Sequence, residues 1–278
     1  MEAWRHTHEH ASVCLEEAET YIVMDADNLL FDTKQTIRNS RLIRDNKALS
    51  FWYKSAFDLI SSSFGIKSSD VLLEIGSGGS SLKDFHSNLI TSDILSLPSV
   101  DLVLDCQYID CCEAIADQSL DGIIAINTLH HITEPLAFLR RAKAKLKTSG
   151  KIYLLEPYFS FLSSPIYQYL HSESANLNLQ QPIINRRTGP LSSSEQSLPF
   201  LLFFRRPEWL HLISNTYDVR ATRIKYYSSL SYFLTGGVTV NTRLPLSLFK
   251  FFHLVDQHFA SRFPKICASF FIAELSLA

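Results

Sequence analysis

The chain has 278 residues, with 26 Lys and Arg against 28 Asp and Glu, a formal charge of −2. That length suits one α/β domain with additions, and the charge balance offers no basic face for general nucleic-acid binding, so small molecules or lipids are the expected partners. Five cysteines without a C-x-x-C pair suit a reducing compartment, no apolar run reaches the roughly 18 residues of a membrane span, and the first residues lack a signal peptide's apolar core, so a cytoplasmic location is expected.

Residues 1–65 read as an N-terminal helical extension. It opens with His6, His8, Glu9 and His10, a spacing that binds a transition metal only if the strand is extended and held. Phe51, Trp52 and Tyr53, followed by Ala56, Leu59 and Ile60, predict a helix laid against a sheet or over a ligand mouth. The main domain is expected over 66–278. Its first strand, Val71 to Ile75, runs into Gly76-Ser77-Gly78-Gly79-Ser80, where glycines let the backbone bend and approach a ligand that a Cβ would exclude. Glu74 discriminates between ligands: it repels an anionic pyrophosphate, which prefers bare N–H groups, and attracts a cationic sulfonium with a free amino group.

Further strands are predicted at Ile90–Ile94, Val100–Cys106, Gly122–Asn127 and Lys151–Pro157, with Asp93 falling 17 residues after Gly76. An acid at that place accepts ribose hydroxyls. Between the last two strands Glu134-Pro135 starts a helical pattern of Leu136, Leu139, Ala142 and Leu146, with Lys143, Lys145 and Lys147 favouring its C-terminal end. Alternating strands and helices imply a doubly wound, mostly parallel α/β sheet.

The series Glu74-x-Gly76-x-Gly78-x-Ser80, Asp93, Asp105 and Leu129-His130-His131 resembles the class I S-adenosylmethionine-dependent methyltransferases, in the small-molecule branch with a Leu-His-His turn and a Glu-Pro strand end. Ser80 stands where that family has its third glycine, leaving Gly79 as a substitute hinge. The resemblance covers residues 71–157. It implies a seven-stranded Rossmann-like methyltransferase sheet with the last strand antiparallel, and S-adenosyl-L-methionine as cofactor. Glu74, Gly76, Ser77 and Gly78 would hold the methionine part, Asp93 and Ile94 the ribose, Asp105 and the Cys106 N–H the adenine, and Asn127 the methionine amine.

Beyond residue 157 an insertion at about 158–205 is expected to shape a lid over the acceptor, its stretch from Leu170 to Leu198 reading as irregular. A helix starts at Arg206-Pro207, a sixth strand is read at Tyr217–Ile224, a seventh near Ser269–Leu275, and an apolar helix between them carries Leu246, Phe249, Phe252, Leu254, Val255 and Phe259. That helix suits core packing, a dimer contact, an acceptor cover or a peripheral membrane contact; no oligomeric state follows from the sequence.

Methyl transfer is a single displacement that depends most on alignment. His131, just past the fourth strand, is the candidate general base, with Glu156, Tyr158 and His171 as further groups near the acceptor. Arg186, Arg187, Arg205 and Arg206 could clamp an anion or simply be solvated. No metal is expected, since Cys111 and Cys112 are adjacent and lack partners at zinc spacing. Two alternatives remain: a non-catalytic methyltransferase-like binding protein, and an NAD-dependent oxidoreductase, which would need a glycine at Ser81 and no acid at Glu74.

Overall fold

The computed structural model describes residues 26–80, 82–184, 188–238, 242 and 244–278. His6, His8, His10, Ser81, Arg186 and Arg187 lie outside the described residues. Two helices, α1 (Ala26–Asp45) and α2 (Lys47–Phe64), precede β1 (Leu72–Ile75), β2 (Leu89–Asp93), β3 (Leu102–Val103) and β4 (Leu120–Ile126). Helix α3 (Pro135–Ala142) then leads to β5 (Leu146–Pro157). After it come short helical pieces α4 (Ser163–Pro165), α5 (Ser197–Phe200) and α6 (Pro207–His211), then β6 (Arg223–Tyr227), α7 (Ser231–Leu234), α8 (Leu246–Arg262), α9 (Pro264–Cys267) and β7 (Phe270–Ser276).

The strands form one seven-stranded sheet in the order β3-β2-β1-β4-β5-β7-β6. All neighbours are parallel except those of β7, which runs antiparallel to β5 and β6. This is the expected doubly wound sheet. Strand order reverses beside β1, where chain direction divides toward β2 and toward β4, and such a switch point opens a crevice at the strands' C-terminal ends.

Alternation along the strands supplies two cores. Leu73, Ile75, Ile123, Ala125 and Leu154 face α3 and α5, while Leu72, Ile124, Tyr153 and Leu155 face α2. Helix α2 forms because Asn46 caps it, its Oδ1 accepting from the N–H groups of Ala48 and Leu49 at 3.1 Å. It stops at Gly65, whose φ of 74° and N–H bond to Ser61 O close the last turn. Its buried residues Ala48, Leu49, Trp52, Ala56, Ile60 and Phe64 recur at helical spacing. Trp52 is fully enclosed by Tyr53, Tyr227, Tyr232 and Phe270, with ring centroids 4.8 to 5.2 Å away.

Two boundaries differ from the sequence reading. Helix α3 ends at Ala142, because Lys145 is buried with its Nζ 2.7 Å from Asp117 Oδ1 and Leu146 pairs with Leu120 as the start of β5. The helical spacing of Leu146 therefore belongs to a strand, and the three lysines do not close a helix. The sixth strand begins later than expected, since Asp218 caps a 3₁₀ turn over Val219–Ala221 and Tyr217 makes only an isolated bridge to Leu277.

Candidate cofactor crevice and acceptor pocket

A cavity of about 850 Å³ opens over the switch point, near the upper end of the range of roughly 300–1,000 Å³ usual for small-molecule sites. Its floor is made by the residues that leave the parallel strands: Glu74, Gly76 and Gly78 after β1, Asp93 and Ile94 after β2, Asp105 and Cys106 after β3, and Asn127 after β4. Its roof comes from Asn28, Thr36, Asn39 and Ile43 of α1 and from residues 188–193. The far end holds His130, His131, His171, Glu173, Gln196 and Tyr232.

The glycine turn is closed to side chains. Gly76 has φ 66°, and a Cβ there would lie 2.4 Å from Thr128 Cγ2; a Cβ on Gly78 would lie 2.5 Å from Thr36 Cγ2 and 2.8 Å from Asp93 Oδ2. Asp93 also braces the turn, its Oδ2 accepting from Gly78 N and its Oδ1 from Leu95 N, each at 2.9 Å. Burial pushes its carboxyl up, and those N–H groups work against the rise. Asp105 accepts from Gln107 N at 2.9 Å and so orients the chain just past Cys106, whose thiol burial pushes well up. Ser77 is the one expected cofactor residue not on the cavity wall. It is buried, donates its hydroxyl to Glu74 O at 3.0 Å and its N–H to Ser92 O at 2.9 Å, and so holds the turn instead of facing a ligand.

Three buried polar atoms of residues lining this cavity have no protein partner: Glu74 Oε2 and Asn127 Oδ1 beside the glycine turn, and Gln196 Oε1 at the far end. An unmet buried carboxylate oxygen is costly, and burial raises the Glu74 carboxyl to about 7 despite hydrogen bonds from Ser80 and Ser77. Asn127 sits at φ 51°, a conformation disfavoured for a residue with a Cβ, which turns the chain out of β4 at the crevice. An acid with one unmet oxygen and an unmet amide oxygen beside a glycine cradle fit an α-amino group next to a sulfonium. The same acid opposes a pyrophosphate, which counts against the NAD alternative.

At the acceptor end Glu156 proves to be an anchor. It is wholly buried, with Oε1 accepting from Thr128 N at 2.9 Å and Leu129 N at 2.6 Å and Oε2 lying 2.6 Å from His130 Nδ1. The other ring nitrogen of His130 is 3.4 Å from Glu173 Oε2. Burial opposes a charge on His130, yet Glu156 and then Glu173 raise it to about 10. Burial opposes ionisation of Glu173 too, but the hydrogen bond from His130 holds it well below the usual carboxylate range. His131 goes the other way: burial and the adjacent charged His130 lower it to about 4. Its Nδ1 lies 3.2 Å from Ser193 O, and a carbonyl only accepts, so that nitrogen carries the proton. His130, His131 and Glu173 each bring one donor atom within 4.8 Å of the others, a grouping across more than forty positions that sequence spacing did not foreshadow.

His171 lines this pocket, beside Gln196 Nε2 at 3.0 Å, and burial lowers its pKa. Tyr158 does not: it packs against Phe200, Phe204 and Tyr226 away from the cavity. Arg205 and Arg206 are also elsewhere, over the rings of Phe200 and Trp209. Asp32 is a participant the sequence did not flag. Its Oδ2 accepts from Leu191 N at 2.8 Å, Ser192 N at 3.1 Å and Ser192 Oγ at 3.2 Å, tying α1 to the 188–193 loop. No local pattern marks such a pair, whose members are about 160 positions apart.

With sheet order, crevice and cradle together, the chain carries a methyltransferase domain that uses S-adenosylmethionine as its cofactor. Residues 73–154 match the family model described as a methyltransferase domain. Among solved structures, an S-adenosylmethionine-dependent methyltransferase from Archaeoglobus fulgidus is 13% identical, with 81% of this chain and 94% of that one covered and a TM-score of 0.47. The Burkholderia thailandensis 1,6-didemethyltoxoflavin-N1-methyltransferase, solved with 1,6-didemethyltoxoflavin and S-adenosylhomocysteine, is also 13% identical, with 91% and 88% covered and a TM-score of 0.44. A comparison with curated proteins returns no significant relative.

Proposed function

We propose that the chain transfers the methyl group of S-adenosylmethionine to a small-molecule, sugar or lipid acceptor whose reacting end is polar and enters the His130–His131–Glu173 end of the cavity. The observation carrying this reading is the pair of unmet buried oxygens, Glu74 Oε2 and Asn127 Oδ1, beside a turn with no room for a Cβ at Gly76 or Gly78. In this assignment Glu74 and Asn127 take the amino group, and Gly76 and Gly78 pass beneath the methionine part. Asp93 and Ile94 bind the ribose, and Asp105 with the Cys106 N–H orients the adenine.

The bound cofactor supplies an electrophilic methyl on a cationic sulfur; the protein's share is alignment and exclusion of water. His131, neutral with its Nδ1 proton committed to Ser193 O, accepts a hydrogen bond from the acceptor. Held near 4, it is a weak base, and an efficient base titrates near the working pH. The pocket therefore suits an amine, an acidic hydroxyl or another nucleophile that loses its proton readily. Glu173, His171 and Gln196 orient that group.

Titration calorimetry with S-adenosylhomocysteine tests the cofactor half, with Glu74→Ala expected to weaken binding on the order of 10²-fold. Equal affinity in that variant overturns the assignment. Incubation of a metabolite and lipid extract with a labelled methyl donor identifies the acceptor, and tight nucleoside binding without any labelled product favours a non-catalytic binding protein instead.

A further inference from the structure

Helix α8 keeps only part of its circumference in the protein. Phe249, His253 and Ala260 are buried against the body, whereas Leu248, Phe251, Phe252, Val255 and Phe259 form an outward stripe at positions three, four and seven apart. Exposure is large for such side chains: 63% for Phe251 and 71% for the neighbouring Leu254. The patch continues past the helix. Phe263 and Ile266 are exposed, and Phe161 and Leu162, whose N–H groups bond to Lys265 O and Ile266 O, extend it with Phe161 78% exposed. Contiguous apolar surface on this scale marks a contact site.

Charge decides what it contacts. Between Leu246 and Cys267 the charged side chains facing solvent are Lys250, Arg262 and Lys265. The only carboxylate there, Asp256, is turned inward and accepts from the N–H groups of Ser229, Leu230 and Ser231 at 2.7, 2.8 and 3.3 Å. A cationic rim around an aromatic stripe thus stands on a chain whose formal charge is −2. A second copy paired through this helix in a two-fold dimer would bring those cations onto themselves, with no outward carboxylate between Leu246 and Cys267 to oppose them. An anionic lipid surface meets both the stripe and the rim.

We propose that the outer face of α8, extended by Phe161, Leu162, Phe263 and Ile266, docks on an anionic bilayer, with the helix in the plane of the interface. Among the described residues no helix is long and apolar enough to cross a membrane, so the contact is peripheral. Helix α7 links this face to the cavity: Tyr232 lines the pocket, while Leu230 just before it and Leu234 at its end are exposed. Docking would bring the acceptor end near the lipid surface. The inference rests on the surface alone and stands whether or not the acceptor is a lipid.

Sedimentation of the full chain with vesicles of mixed phosphatidylcholine and phosphatidylglycerol tests it, against phosphatidylcholine alone. Pelleting is expected with the anionic vesicles, much reduced without phosphatidylglycerol and in high salt. The exposed-site variant Phe251→Ser/Leu254→Ser and the charge variant Lys250→Glu/Arg262→Glu/Lys265→Glu should each lose on the order of 10-fold or more in partition. Both should still bind S-adenosylhomocysteine, which shows that they fold. Absence of pelleting by the parent chain, or equal pelleting by both variants, overturns the proposal. So does analytical ultracentrifugation that finds a dimer which the serine variant splits, since that assigns the face to a second copy.

Discussion

Asp32 and Gly189 are so closely apposed that a Cβ on Gly189 would lie 2.4 Å from Asp32 Oδ2. The carboxylate occupies the space a side chain would take, and from there it reaches Leu191 N, Ser192 N and Ser192 Oγ. One acid on α1 thereby fastens both halves of the cavity roof.

Asp32→Ala should free that roof without unfolding the sheet, since each lost bond to a charged acceptor is worth about 1.5–3 kcal/mol only while the loop is closed. Hydrogen exchange of the amides at 188–193 is expected to speed up at least tenfold, with β1 and β4 unchanged. Protection that stays the same in the roof would show that the latch does not hold it.

Cofactor binding should depend on pH through Glu74. Its carboxyl titrates at about 7 in the empty crevice, against 4.5 ordinarily, and an ammonium neighbour favours the ionised form. Affinity for S-adenosylhomocysteine is therefore expected to rise as pH increases toward about 7 and then level off, with a proton released on binding below that point. The sign for stability is the reverse: because the folded empty protein holds this proton more tightly, its stability falls as pH rises from about 4.5 through about 7. Glu74→Gln should flatten both profiles, and a slope that survives in that variant assigns the effect to another group.

Glu156→Gln probes the anchor under the His130 turn. Removing one partner of a buried, hydrogen-bonded charge pair costs about 3–5 kcal/mol, so a large fall in Tm is expected even though the residue faces no ligand. Because His130 is raised to about 10 from 6.5, the pair's contribution is full below about 6.5 and fades as pH climbs through about 10. Thermal melts across that range should converge between parent and variant at the alkaline end.

His131→Ala distinguishes a hydrogen-bond acceptor from an essential base. As a neutral orienting group it should leave cofactor affinity intact and lower kcat roughly 10-fold, with no inflection in kcat near pH 6.5 in the parent. A fall of 10³-fold or more, with an inflection that the variant abolishes, would restore the base role.

The core of the fold was legible because its signals are local. The strand into Gly76, the acids Asp93 and Asp105 and the turn at Asn127 are each set by a few neighbours along the chain, and their order carries the sheet. The α3–β5 boundary was not legible, since Lys143 to Leu146 read equally well as helix, and only the Leu120 pairing and the ion pair of buried Lys145 with Asp117 decide otherwise. At the site, residues leaving the parallel strands could be anticipated, whereas Ser77 could not be told from its neighbours until its hydroxyl was seen on Glu74 O. Glu173 and Asp32 escaped altogether. Their partners are 43 and about 160 positions away, in or beside an insertion whose polar composition says only that it is irregular.

Trp52 has a practical consequence for observing this chain at work. Its indole is sealed from water with no partner for its N–H, a setting in which emission is shifted to the blue. Tyr53, Tyr232 and Phe270 touch that ring on one side and line the cavity on the other. A nucleoside pressing on those three rings changes the quenching of that fixed indole, so a chain in which Trp4 and Trp209 are replaced by Phe carries an intrinsic optical gauge of its own occupancy.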